Sequence, residues 1–83
     1  MKLLKFYVDF CNPCRVLTTM LDGFDACLME KVNIDLDTDR AVKYSIRSVP
    51  TIVLIDDNGN ELWRHSGLID KVMVEKEVRK HKY

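Results

Sequence analysis

The sequence has no excess of charge of either sign, since thirteen basic residues balance thirteen acidic ones over 83 positions. Long single-sign blocks are absent too, which excludes the electrostatic footprint of a nucleic-acid binder or of a protein lying on an anionic membrane. No apolar run approaches the roughly 20 residues needed to span a bilayer. Lys5 interrupts the hydrophobic stretch of the N-terminus, so neither a membrane anchor nor a signal peptide is expected. Cysteine is scarce, three in all. That odd, small number excludes the dense framework of a secreted mini-protein and fits a reducing compartment, with the cytoplasm as the default. Repeats, low-complexity tracts and linker-like stretches are also missing, and a chain of this length has area for one small core. A single domain over residues 1–83 is expected, monomeric, with a small molecule or another protein as its partner.

What is present is a regular alternation of strand and helix periods. Leu3 to Val8 is almost wholly apolar apart from Lys5, as a central strand covered on both faces should be. Val16, Leu17, Met20, Leu21 and Phe24 then recur at helical spacing, with Asp22-Gly23 as a stop, and this helix carries Cys14 in its first turn. Met29 to Asp35 alternates as a second strand and runs into the capping residues Asp35 to Asp39, ahead of a short helix near Arg40 to Tyr44. Thr51 to Ile55 is a β-branched run, Asp56 to Gly59 a hairpin signal, and Glu61 to Ser66 the returning strand. Asp70 is placed to cap a last helix in which Val74 and Val78 share a face. The order β-α-β-α-β-β-α, with right-handed crossovers, makes the first two strands parallel neighbours and adds the hairpin antiparallel. An α/β fold follows, a four-stranded mixed sheet flanked by three helices.

Cys11-Asn12-Pro13-Cys14 stands between the first strand and the first helix. Two cysteines at that spacing can close a reversible disulfide, which points to thiol–disulfide chemistry. The alternative is a zinc site completed by Cys27 and His65 or His81, but a second close ligand pair is absent and no metal is expected. The segment Leu4 to Arg15, LKFYVDFCNPCR, resembles the thioredoxin active-site segment V-D-F-W-A-x-W-C-G-P-C-K without a gap. Lys31 to Asp35, Lys43 to Thr51, Asn58-Gly59 and Ser66-Gly67 are similar to later blocks of that family, in the same order. The resemblance implies a minimal thioredoxin fold of glutaredoxin length, without the family's N-terminal strand and helix.

Cys11 at the helix N-terminus has unpaired backbone N–H groups and the helix dipole to stabilise its thiolate, so it is the expected nucleophile. Cys14, one turn on, is the expected resolving thiol. Pro13 is tolerated so early in a helix because the N–H it lacks would have no intrahelical acceptor, and Asn12 can modulate hydrogen bonding at Cys11. In the resembled family the proline matched by Pro50 has a cis peptide bond beside the disulfide, which would leave the Val49 backbone free to bond an extended substrate. Phe10, Tyr7 and the Gly67 loop would complete an apolar rim.

Lys5 departs from the family, falling where it usually keeps a buried aspartate, while Lys31 matches the lysine that accompanies that acid. Lys5 is expected either to face the cysteines and tune their ionisation or to extend to water. Cys27 reads as a small, partly buried residue, Trp63 as packing, and His65 and His81 as surface residues without partners. The leading expectation is a protein-disulfide reductase and electron donor, binding no cofactor and receiving electrons from NADPH through a thioredoxin-reductase-like partner. A glutaredoxin-like enzyme using glutathione is the alternative, because Ser66 to Asp70 partly resembles the G-G-x-x-D loop. The tyrosine of the C-P-Y-C motif and the first glycine are missing, and Asp70 is better explained as a helix cap. A redox-silent interaction module would leave two well-placed cysteines without a task.

Overall fold

The computed structural model describes residues 1–82; the last position of the expected 1–83 unit lies outside the described residues. Its elements run β1 (Lys2–Tyr7), α1 (Asn12–Met20), β2 (Leu28–Asn33), α2 (Thr38–Lys43), β3 (Thr51–Ile55), β4 (Glu61–Ser66) and α3 (Lys71–Lys80). The sheet order is β2-β1-β3-β4. β1 pairs parallel with β2 and antiparallel with β3, and β3 and β4 form the hairpin, so the element order, mixed sheet and three helices are those expected.

Strand alternation assigns the layers. Leu3 packs with Leu17, Leu21, Ile52, Leu54, Val74 and Val78 in one core that joins the sheet to α1 and α3. Leu4 and Phe6, pointing the other way, pack with Val32, Val53 and Tyr44 at the end of α2. Both faces of β1 are therefore covered, which is why its sequence carries no polar alternation.

β1 is shifted by one residue from the expected Leu3 to Val8. Two further boundaries and one cap differ from the sequence reading, each for a physical reason. β2 stops at Asn33 rather than Asp35 because its partner β1 ends at Tyr7, opposite Asn33. α2 starts at Thr38 because Asp37 is the residue whose carboxylate accepts the Arg40 N–H, at 3.1 Å. Asp70 occupies the N-cap of α3 but its side chain makes no capping hydrogen bond; its backbone carbonyl accepts from Met73 and Val74 instead. No helix among the described residues is long and apolar enough to cross a membrane.

Candidate active site

β1 delivers the chain to one end of the sheet, and Val8 to Phe10 carry it to the start of α1. Phe10 has φ 60°, a left-handed conformation that costs a non-glycine residue roughly 1–2 kcal/mol, and the residue is 93% exposed. Cys11 is the N-cap of α1, and Pro13 lies in the first helical turn, where no hydrogen bond is lost. The Cys14 N–H donates to the Cys11 sulfur at 3.2 Å and the Arg15 N–H to the Cys11 carbonyl at 3.2 Å. Cys11 and Cys14 are joined as a disulfide with their Cα atoms 5.2 Å apart. Cys14 is buried at 6% exposure, while Cys11 is half-buried. A negative charge on the Cys11 sulfur would thus meet a backbone N–H and the positive end of the helix dipole. Asn12 does not bond the Cys11 sulfur: its Oδ1 accepts from Arg15 Nη1 at 3.4 Å.

The register of β3 brings a second segment to the same end of the sheet. Thr51 pairs with Phe6 near the end of β1 and with Ser66 at the end of β4, so Pro50 and Gly67 flank the edge from which the Cys11 loop departs. The Val49–Pro50 peptide is cis, and the Gly67 N–H donates to the Pro50 carbonyl at 2.8 Å. Gly67 has φ 92°, which only glycine adopts without strain. Among the described residues, the Val49 N–H and carbonyl have no hydrogen-bond partner.

On the α1 side of β1 a cavity of about 350 Å³ opens beside the disulfide, with Lys5, Tyr7, Phe10, Cys11, Cys14, Thr18 and Lys31 in its lining. It gathers Lys5, Lys31 and Phe10 around the cysteines, whereas Asn12, Pro13, Val49, Pro50 and Gly67 are not part of its wall. Lys5 does not extend to water. It is 3% exposed, and its Nζ donates to Thr18 Oγ1 at 2.5 Å. Thr18 in turn donates to the Cys14 carbonyl at 3.0 Å. Burial first, and the like charge of Lys31 second, hold the Lys5 ammonium below the usual lysine range. The sequence reading missed Thr18, although its place one helical turn after Cys14 was a usable signal.

The remaining candidates lie elsewhere. Cys27 is a free thiol packed against the core that holds Leu3, and burial pushes it up from the usual thiol range. His65, expected to lack a partner, has its Nε2 3.0 Å from the Leu68 carbonyl and stacks on Trp63. Among the described residues no three His, Cys, Asp or Glu side chains gather as a metal site.

A family model described as Thioredoxin matches residues 1–80. The thioredoxin of Chlamydia pneumoniae is 39% identical over 83 residues, covering 95% of this chain and 80% of that protein. The thioredoxin of Chlamydia trachomatis is likewise 39% identical over the same span and shares of each chain. Among solved structures, a point-mutant thioredoxin from Halobacterium salinarum superposes with a TM-score of 0.87 at 27% identity, covering 99% of this chain and 74% of that one.

Proposed function

Because the chain belongs to the thioredoxin family and is a thiol–disulfide oxidoreductase, we propose that it works as a protein-disulfide reductase and electron donor, cycling between a Cys11/Cys14 dithiol and the disulfide. The observation that carries this reading is the N-cap position of Cys11, with its sulfur accepting the Cys14 N–H ahead of α1. Stabilised as a thiolate, Cys11 attacks one sulfur of a substrate disulfide, forms a mixed disulfide and expels the other substrate sulfur as thiolate. Cys14, buried one turn away, then attacks the Cys11 sulfur as a thiolate. The Cys11–Cys14 bond forms, the mixed disulfide breaks, and the second substrate thiolate leaves, so two electrons have passed to the substrate.

Around this pair, Phe10, Asn12 and Pro13 form one side of the docking surface, and Val49, Pro50 and Gly67 the other. The unpartnered Val49 N–H and carbonyl support pairing with an extended substrate backbone. The 83-residue chain acts as one domain and a monomer, in the cytoplasm. No prosthetic group is bound, and reducing equivalents arrive from NADPH through a thioredoxin-reductase-like enzyme. The family match does not favour the glutathione-dependent alternative.

A paired assay tests the reading. Disulfide reduction is followed with NADPH and thioredoxin reductase, and separately with NADPH, glutathione and glutathione reductase. Turnover in the first system, abolished by Cys11→Ser, is expected; turnover only in the second would overturn the proposed electron donor.

A further inference from the structure

Lys5 is a buried cation that the disulfide chemistry above leaves without a task. β1 must bury its length to sit between two layers, and alternation turns Lys5 to the same face as Leu3, toward α1. Burying an ammonium without a counter-charge is costly. Among the described residues no carboxylate lies within ion-pair distance of Lys5. Among the described residues its ammonium makes one hydrogen bond, to Thr18, which uses a single one of its three N–H donors.

The groups facing it around the cavity define what the charge can act on. From β2, Lys31 sits directly opposite in register and adds positive charge. Its own strand contributes Tyr7, the loop Asp9 and Cys11, and α1 Cys14 and Arg15. The β3 neighbour, Ile52, is apolar. The balance is positive, and the buried sulfur in this wall belongs to Cys14. Thr18 ties the ammonium to the same helical turn, since its hydroxyl accepts from Lys5 and donates to the Cys14 carbonyl.

We propose that Lys5, anchored by Thr18, is a positioning residue that keeps a positive charge beside Cys14 and so stabilises the Cys14 thiolate. The proposal rests on Cys14 being the resolving thiol. When an incoming thiolate attacks the Cys11 sulfur, the Cys11–Cys14 bond breaks and Cys14 leaves with the bonding pair as an anion, opposite the ammonium. In the other direction the same charge favours the Cys14 thiolate that attacks the mixed disulfide, forms the Cys11–Cys14 bond and releases the substrate thiolate. No net proton transfer to Lys5 is required. Reduction thus supplies the counter-charge that Lys5 lacks in the disulfide state.

The test reads Cys14 directly. In the full chain carrying Cys11→Ser and Cys27→Ser, Cys14 is the one remaining thiol, and its thiolate absorbance near 240 nm is titrated with pH. Adding Lys5→Gln, which keeps a donor for Thr18 but removes the charge, should raise the Cys14 midpoint by about one to three pH units. A midpoint unchanged in that variant overturns the proposal. If Lys5→Gln fails to fold by far-ultraviolet circular dichroism, Thr18→Val at an exposed position decides. A raised midpoint supports the proposal, and an unchanged one overturns it. Absence of disulfide reduction by the parent protein would overturn the proposed function instead, since the Cys14 titration does not depend on turnover.

Discussion

Thr51 opens β3 immediately after Pro50 and is 1% exposed, so its hydroxyl must be satisfied inside the protein. Its Oγ1 donates to the Ser48 carbonyl at 2.8 Å and lies 3.1 Å from Ser66 Oγ. A hydroxyl has one proton to give, so Ser66 is the donor in the second bond. Thr51→Val removes both bonds while keeping the branched shape. Each bond is worth about 1 kcal/mol net. Ser48 and Ser66 are exposed and recover water as a partner, so the full penalty of an orphaned buried group does not apply. The expected loss is about 1–2 kcal/mol, or roughly 4–16 °C in Tm for a domain of this size. Thr51→Ser keeps both bonds and loses one methyl, costing about 1 kcal/mol. Urea melts of the oxidised protein measure both variants. The two should separate functionally, because only Thr51→Val frees the turn from Ser48 to Pro50 that holds the proposed substrate-pairing backbone. KM for a protein disulfide should rise in Thr51→Val and stay near the parent value in Thr51→Ser. Parent-like stability of Thr51→Val, or equal KM in the two variants, would refute the reasoning.

Glu30 accepts from Arg40 and Lys2 at 2.6 and 3.1 Å, which lowers its pKa from 4.5 to about 2. A depressed carboxylate pKa stabilises the fold above the unfolded value, and that contribution is lost as pH falls through about 2. The side chain is 37% exposed, so solvent screening limits the effect to about 1 kcal/mol. Acid unfolding curves should show that Glu30→Gln lacks this increment near neutrality and converges with the parent at the acid end, and parallel curves would contradict it. Tyr44→Phe removes a hydroxyl that donates to the Gly59 carbonyl at 2.8 Å, on the face of the sheet opposite the disulfide. It should cost about 1 kcal/mol in a urea melt with kcat/KM intact; a changed kcat/KM would show that the two faces are coupled.

Much of the fold was legible because its signals are local. β3 and β4 begin and end where their β-branched run and hairpin residues place them, and the helix after the cysteines carries Cys14 in its first turn. The elements that differed are those whose limits depend on a partner. The run from Asp35 to Asp39 offered several caps, and the one used is Asp37, whose partner Arg40 is also held by Glu30 of β2 at 2.6 Å. The end of β2 was set by the length of β1. His65 gained its acceptor from the carbonyl of Leu68, beyond the end of its own strand, a contact that strand periodicity does not report.

Lys5 shows the same limit at the site. Sequence left open whether its ammonium faced the cysteines or reached water, because a lysine stem serves either end. The decision lies with its neighbours. Leu3, Leu4 and Phe6 are at most 1% exposed, and each contributes roughly 1.5–3 kcal/mol on burial. A one-residue slip of β1 would turn all of them to the wrong layers and undo the pairing with β2 and β3. The register is therefore fixed by pairing on both sides, and Lys5 is carried to the α1 face with Leu3 while Leu4 and Phe6 enter the opposite layer. There the helical period has placed Thr18 one turn beyond Cys14 as an acceptor, so the cavity beside the disulfide is where the stem can end with a hydrogen bond.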